Sequence, residues 1–115
     1  MKSLLLVDDD DACRNAFREF LELEGFAVHV AADAYEAVQK LNVMRFDAVV
    51  TDLMLPGSGH AVVEYVHTNQ PQTPVIIVSA YEVENAKLSQ ATFARLTKPV
   101  DPTEIVRVIM DACAH

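Results

Sequence analysis

Four short apolar runs in this chain each stop at a polar residue able to handle phosphate or a metal ion. Residues 4–7 run into Asp8 and Asp9, 48–50 into Thr51 and Asp52, 75–78 into Ser79, and 93–96 into Thr97 and Lys98. Strands of a parallel sheet covered on both faces read as near-continuous apolar runs, and ligands collect outside their carboxyl ends. The pattern predicts one site at one edge of a sheet.

Between the runs the apolar spacing becomes that of helices. Cys13, Ala16, Phe17, Phe20 and Leu21 recur on one face with Arg14, Arg18, Glu19 and Glu22 outside it, and Gly25 stands where such a helix ends. Phe26, Val28 and Val30 then alternate with Ala27, His29 and Ala31 as a further strand. Asp33 and Glu36 form a variant of the capping box, opening a helix through Ala34, Ala37, Val38 and Leu41. Proline and glycines mark 53–59 as a loop, followed by a helix holding Ala61, Val62, Tyr65 and Val66 and closed by Pro71 and Pro74. Segment 82–90 is polar and weakly periodic, with Val83, Ala86 and Leu88 as its apolar positions, and is expected to be helical. The last helix has the clearest start: Asp101 at the N-cap, Pro102 at the first helical position and Glu104 at N3, ahead of Ile105, Val108, Ile109 and Ala112.

Five alternating strand and helix units with short connections give an α/β fold with right-handed crossovers. In so few residues they fit a flavodoxin-like doubly wound five-stranded parallel sheet in order 2-1-3-4-5, helices on both faces, with its switch point between strands 1 and 3. Those strands end in Asp8/Asp9 and Asp52. The length of 115 residues fits a single domain, 1–115.

Charge narrows the function. Lysine plus arginine total 9 against 17 acidic residues, a formal charge of −8, which argues against direct nucleic-acid binding and favours cations or cationic partners. Cys13 and Cys113, the only thiols, lie in no CxxC or Cys/His cluster, and are expected to be partly buried small apolar residues. His29, His60, His67 and His115 lie on no metal spacing. No window is long and apolar enough for a signal peptide or membrane span, so the expected setting is reducing and cytoplasmic.

Several carboxylates at one switch point repel one another unless a cation intervenes. Oxygen-only ligands favour Mg²⁺ there, with Mn²⁺ as a substitute. Lys98 brings an ammonium to the same edge, and Ser79 brings a hydroxyl able to donate to an anionic oxygen. A metal, a lysine, a hydroxyl and a carboxylate nucleophile make a phosphoryl-transfer set, with Asp52 the expected acceptor. Asp10 and Asp11 are read instead as the cap of the first helix.

The ordered set of Asp8-Asp9, Asp52 followed by Leu-Met-Leu-Pro56, Ser79-Ala80, and Lys98-Pro99 ahead of Asp101-Pro102 resembles the receiver domain of two-component response regulators across essentially the whole chain. The resemblance implies that Asp52 accepts a phosphoryl group from a phosphohistidine on a sensor histidine kinase or histidine phosphotransfer protein. It implies that Asp9, Asp52 and the Met54 carbonyl hold Mg²⁺, with Asp8 assisting through water. Lys98 would pair with the phosphoryl group, Ser79 would turn inward to bind it, and the Lys98-Pro99 peptide would be cis. The domain would be no general enzyme, catalysing only its own phosphorylation and dephosphorylation while controlling an output domain or downstream protein. It could be a stand-alone shuttle or part of a larger regulator, and a homodimer is left open.

Three features depart from the family pattern. The loop after Pro56 is about one residue short, the interval from Ser79 to Lys98 about three, and Arg95 stands where receivers often carry an aromatic switch residue. Segment 82–90 or its loops are expected to be trimmed, which bears on the output face. Tyr81 is either a gate over the phosphoryl group or a partly buried aromatic. The exposed side of helix 1 around Arg14 resembles where receivers meet the kinase. Two rivals remain: a haloacid-dehalogenase-like phosphohydrolase with Asp8 as nucleophile and Asp10 as its second acid, and a non-phosphorylated pseudo-receiver binding module. The hydrolase lacks a cap domain and its motif's threonine or valine after the second aspartate, and a pseudo-receiver would be expected to lose an acid or the lysine.

Overall fold

The computed structural model describes residues 1–80 and 92–114. The expected helix over 82–90, Tyr81 and His115 lie outside the described residues. The elements run β1 (Ser3–Val7), α1 (Asp11–Leu23), β2 (Ala27–Ala31), α2 (Ala34–Val43), β3 (Ala48–Thr51), α3 (Gly59–Asn69), β4 (Val75–Ser79), β5 (Ala94–Thr97) and α4 (Pro102–Cys113). All strand pairs are parallel, in the order β2-β1-β3-β4-β5. This is the doubly wound topology expected, with its switch between β1 and β3.

Strand side chains alternate between faces, so one apolar run feeds two cores. Leu5, Val7, Val49, Val75 and Ile77 face Ala34, Ala37 and Leu41 of α2 and Val62, Val63 and Val66 of α3. Leu4, Leu6, Ala48, Val50, Ile76 and Val78 face Leu21 of α1 and Ile105, Val108, Ile109 and Ala112 of α4. Edge strand β2 is mostly half-buried, which is why it alone of the first four reads as an alternating stretch. Strand β5 likewise alternates: Ala94 and Leu96 face inward while Arg95 and Thr97 are exposed.

Local signals fix the helix ends. After α1 the Gly25 N–H donates to Glu22 O and the Phe26 N–H to Leu21 O, both at 3.1 Å, the two bonds of a Schellman motif. Gly25 takes the left-handed conformation this needs (φ +97°), and Phe26 and Leu21 meet in the core beneath. The Asp33 side chain accepts from Glu36 N at 2.7 Å, while Glu36 reaches back to Ala32 N rather than to the cap residue's own N–H. Asp101 caps α4 by accepting from Thr103 N at 2.9 Å. The expected face of α1 is narrower than its spacing suggested: Ala16 is exposed, Phe17 and Phe20 are half-buried, and Leu21 alone is fully buried. In α3 likewise, Ala61 is exposed and Val63 takes the buried place.

The short loop between β3 and α3 is tightly built. Gly57 (φ +81°) and Ser58 (φ +72°) turn the chain through left-handed conformations, and Ser58 Oγ accepts from His60 N to start α3. Gly59 follows because a side chain is impossible there: a Cβ would lie 2.1 Å from the Asp52 carbonyl oxygen and 2.5 Å from Leu53 Cα. The loop is thereby pressed against the end of β3.

Candidate functional site

Asp8 follows β1, Asp52 follows β3, Ser79 ends β4 and Lys98 follows β5, so four neighbouring strands deliver them to one edge. Parallel registry does the alignment: Val7 pairs with Thr51 and Ser79 with Thr97, which sets Asp8 beside Asp52 and Lys98 next to Ser79. The Asp52 N–H donates to Val7 O (3.0 Å) and the Lys98 N–H to Ser79 O (2.8 Å), extending the ladder one step beyond the strands.

The Lys98 ammonium bridges two carboxylates. Its Nζ lies 2.8 Å from Asp52 Oδ2 and 3.2 Å from Asp8 Oδ2. Asp8 and Asp52 are only 4% and 8% exposed, and the ammonium offsets part of the repulsion between two buried carboxylates at such proximity. Burial pulls the Lys98 pKa down, but the hydrogen bond to Asp52 and the charges of Asp8 and Asp52 outweigh it and hold it above the ordinary lysine value. The remaining oxygens have backbone donors: Met54 N reaches Asp52 Oδ1 and Asp10 N reaches Asp8 Oδ1, each at 3.0 Å. Asp52 is thus oriented by a loop amide on one side and an ammonium on the other.

Convergence of the carboxylates is partial. Asp9, the residue after Asp8, is exposed and borders a shallow depression with Met54, Pro56, Ser58 and His60. Among the described residues no three His, Cys, Asp or Glu side chains gather as a ready metal-binding group. The reason is geometric: Asp8 and Asp52 close on Lys98 from adjacent strand ends, while Asp9 lies one residue past that line. The donor set nonetheless fits a hard cation. It is made of oxygens, and two carboxylates sharing one ammonium keep a net negative charge to which Asp9 adds another.

Ser79 is buried at 3% exposure, and Met54 is exposed. Arg95 is exposed on β5, opposite Ile77 in register. The Lys98-Pro99 peptide is cis, as expected. Asp10 caps α1 by accepting from Cys13 N at 3.0 Å, and Asp11 opens the helix, as read from sequence. That use of Asp10 removes it from the role a two-aspartate hydrolase would require.

Two residues of α1 belong to the site and were not seen as such in the sequence. Cys13 lies against Asp8: burial, a hydrogen bond to Asp8 and the Asp8 charge push its thiol up to about 11. Arg14, expected on the exposed side, has a side chain only 13% exposed, and its Nη1 donates to the Asp8 carbonyl at 2.8 Å. The signal lay in helix geometry, since first-turn side chains lean back toward the helix N-terminus and here toward the end of β1.

A doubly wound sheet carrying a lysine-bridged aspartate pair at its switch point has the fold and the strand-end residues that the sequence pattern led us to expect. The comparisons make this specific: the response regulator receiver domain family matches residues 4–110, and the chain belongs to that family. It is 32% identical to an NtrX-like response regulator of Rickettsia conorii over 96% of this chain and 24% of that protein. It is 29% identical to the transcriptional regulatory protein SrrA of Staphylococcus aureus over 90% of this chain and 44% of that one. The chain therefore spans a quarter to about half the length of these relatives. Among solved structures it resembles a CheY-like receiver domain protein of Methanospirillum hungatei (TM-score 0.90, 29% identity, 99% of this chain and 94% of that one). It also resembles the response regulator TrrA of Thermotoga maritima in complex with Mg²⁺ and BeF (TM-score 0.90, 26% identity, 97% and 99%). Among the described residues no helix is long and apolar enough to cross a membrane.

Proposed function

We propose that this chain is a phosphorylatable receiver in which Asp52 accepts a phosphoryl group from a phosphohistidine on a sensor histidine kinase or phosphotransfer protein. The observation that carries the reading is the Asp52 carboxylate, fixed by Met54 N at one oxygen and by Lys98 Nζ at the other, at the rim of the sheet. A carboxylate so held is positioned as a nucleophile. One of its oxygens forms the new P–O bond as the P–N bond of the phosphohistidine breaks, and the imidazole leaves with its nitrogen lone pair restored.

Asp8, Asp9, Asp52 and the Met54 carbonyl are the residues to hold Mg²⁺, with Mn²⁺ as a substitute. When bound, the ion supplies charge neutralisation for the entering phosphoryl oxygens. Lys98 then exchanges a carboxylate partner for a phosphoryl oxygen, so its ammonium keeps an anionic partner throughout. Ser79, buried on the adjacent strand end, donates its hydroxyl to the same group. A dianion gained at one edge biases two packings of the sheet's loops, and the output partner reads the difference. The chain catalyses only its own phosphorylation and dephosphorylation, as a single domain spanning 1–115 in the cytoplasm. Its output, in this chain or a longer one, is a linked domain or a downstream protein. The departure at Arg95 falls on the exposed side of β5, so it bears on output rather than on chemistry.

Incubation with Mg²⁺ and acetyl phosphate, followed by intact mass measurement, tests the reading. The wild type gains one adduct of about 80 Da, one phosphoryl group, and Asp52→Asn gains none. An adduct that persists in Asp52→Asn and vanishes in Asp8→Asn would support the hydrolase instead. No adduct on any form would support a pseudo-receiver.

A further inference from the structure

Arg14 is the least exposed charged group on the outer side of α1, and its ion pair does not explain why. Its partner there, Asp11, is 83% exposed, and exposed pairs one helical turn apart hold little. The other end of the guanidinium fork is different: Nη1 donates to the carbonyl of Asp8 at 2.8 Å, a charge-assisted bond to the last peptide before the acidic turn. The turn on either side of that peptide is held as well, while the peptide's own carbonyl is met by Arg14. Asp8 N donates to Ala31 O (3.1 Å), Asp10 N closes onto Asp8 Oδ1 (3.0 Å), and Arg14 N donates to Asp10 O (2.9 Å). The carbonyl bonded by Arg14 belongs to the peptide linking Asp8 to Asp9, so its orientation sets where the Asp9 side chain leaves the backbone.

Resting on the reading of Asp8, Asp9 and Asp52 as the carboxylates of a divalent-cation site, we infer that Arg14 is the positioning residue of that site. Its guanidinium spans Asp8 O and Asp11 and locks the turn that sets where Asp9, which makes no hydrogen bond or ion pair among the described residues, leaves the backbone relative to the buried pair. Arginine suits this because one planar fork reaches two acceptors at once, which an ammonium on a flexible stem cannot do with the same geometry. The arrangement is the counterpart of the outer partners that orient metal ligands without touching the metal.

The test compares wild type, Arg14→Gln, Arg14→Lys and Asp11→Asn, reading Mg²⁺ affinity by calorimetry and phosphoryl uptake from acetyl phosphate across Mg²⁺ concentrations. Arg14→Gln weakens Mg²⁺ binding by roughly tenfold and raises half-saturating Mg²⁺ equally, while uptake at saturating Mg²⁺ stays near wild type. Arg14→Lys recovers part of the loss, and Asp11→Asn shows a smaller loss in the same direction. Asp11→Asn keeps the test open should Arg14→Gln fail to fold. Unchanged Mg²⁺ affinity in the folded variants, or full recovery by lysine, overturns the positioning role. If the wild type takes up no phosphoryl group while Arg14→Gln still weakens Mg²⁺ binding, the phosphoacceptor reading fails and the role of Arg14 stands.

Discussion

Lys98 Nζ sits 2.8 Å from Asp52 Oδ2, and the same ammonium holds Asp8 at 3.2 Å. On the proposed reading the lysine does two jobs in turn: before phosphorylation it offsets part of the charge of a buried carboxylate pair, and afterwards it meets the phosphoryl group. On the same reading, a cation bound there would meet the carboxylates that now hold the ammonium.

Replacing Lys98 by methionine separates these roles. Two buried carboxylates are left facing each other without their cation, which lowers stability at pH 7 by about 1–3 kcal/mol. Mg²⁺ affinity is unchanged or tighter, since the competing ammonium has gone, while the conformational response to phosphorylation weakens. Urea melts at pH 7 with Mg²⁺ titration check this, and a loss of Mg²⁺ affinity would show that lysine helps to build the metal site.

Alkaline stability carries a second signature. Cys13 and Lys98 both hold their protons more tightly in the folded state. The stability each contributes is complete below its unfolded pKa and is lost as the pH rises through its folded value. For Cys13 that window runs from 9.0 to about 11, and for Lys98 it begins at 10.5 and extends above. Thermal melts should fall progressively above pH 9. Cys13→Ala should flatten the first part of the fall and leave the part above pH 11 in place. A parallel shift of the whole curve would contradict the assignment.

Gly59→Ala probes the loop that supports Asp52. A Cβ there overlaps the backbone of Asp52 and Leu53, which cannot swing aside as a side-chain tip could. The substitution should cost roughly 1–3 kcal/mol in denaturant melts and slow phosphoryl uptake by moving the Asp52 backbone. A variant of unchanged stability and uptake would mean that the loop has slack the present geometry does not show.

Much of this was legible in the chain because burial on both faces turns a strand into an unbroken apolar run, and the residue that stops the run marks the strand end. Asp8, Asp52, Ser79 and Lys98 were all found that way. Capping chemistry was equally readable at Asp33 and Asp101, since a side-chain acceptor and a glutamate at fixed spacing leave few alternatives. What failed were faces. Ala16 and Ala61 fit a helical period but are small enough to sit at the boundary, where periodicity does not say which side is covered. Cys13 is half-buried as its place on the helix predicts, and Arg14 alone is misplaced by its polarity. Which strand end the first turn of α1 leans over is a tertiary fact that spacing alone does not encode. The incomplete gathering of Asp9 with Asp8 and Asp52 has the same origin: neighbours in sequence leave the strand end in different directions.

Borohydride trapping shows which residue carries the acyl phosphate, proposed to be Asp52. Hydride reduces an aspartyl phosphate to homoserine with release of phosphate, marking the residue permanently for peptide sequencing by mass spectrometry. After treatment with acetyl phosphate and Mg²⁺, homoserine is expected at position 52 and intact aspartate at positions 8, 9 and 10. Homoserine at position 8, or a stable phosphate found on Ser79 with position 52 unmodified, would contradict it.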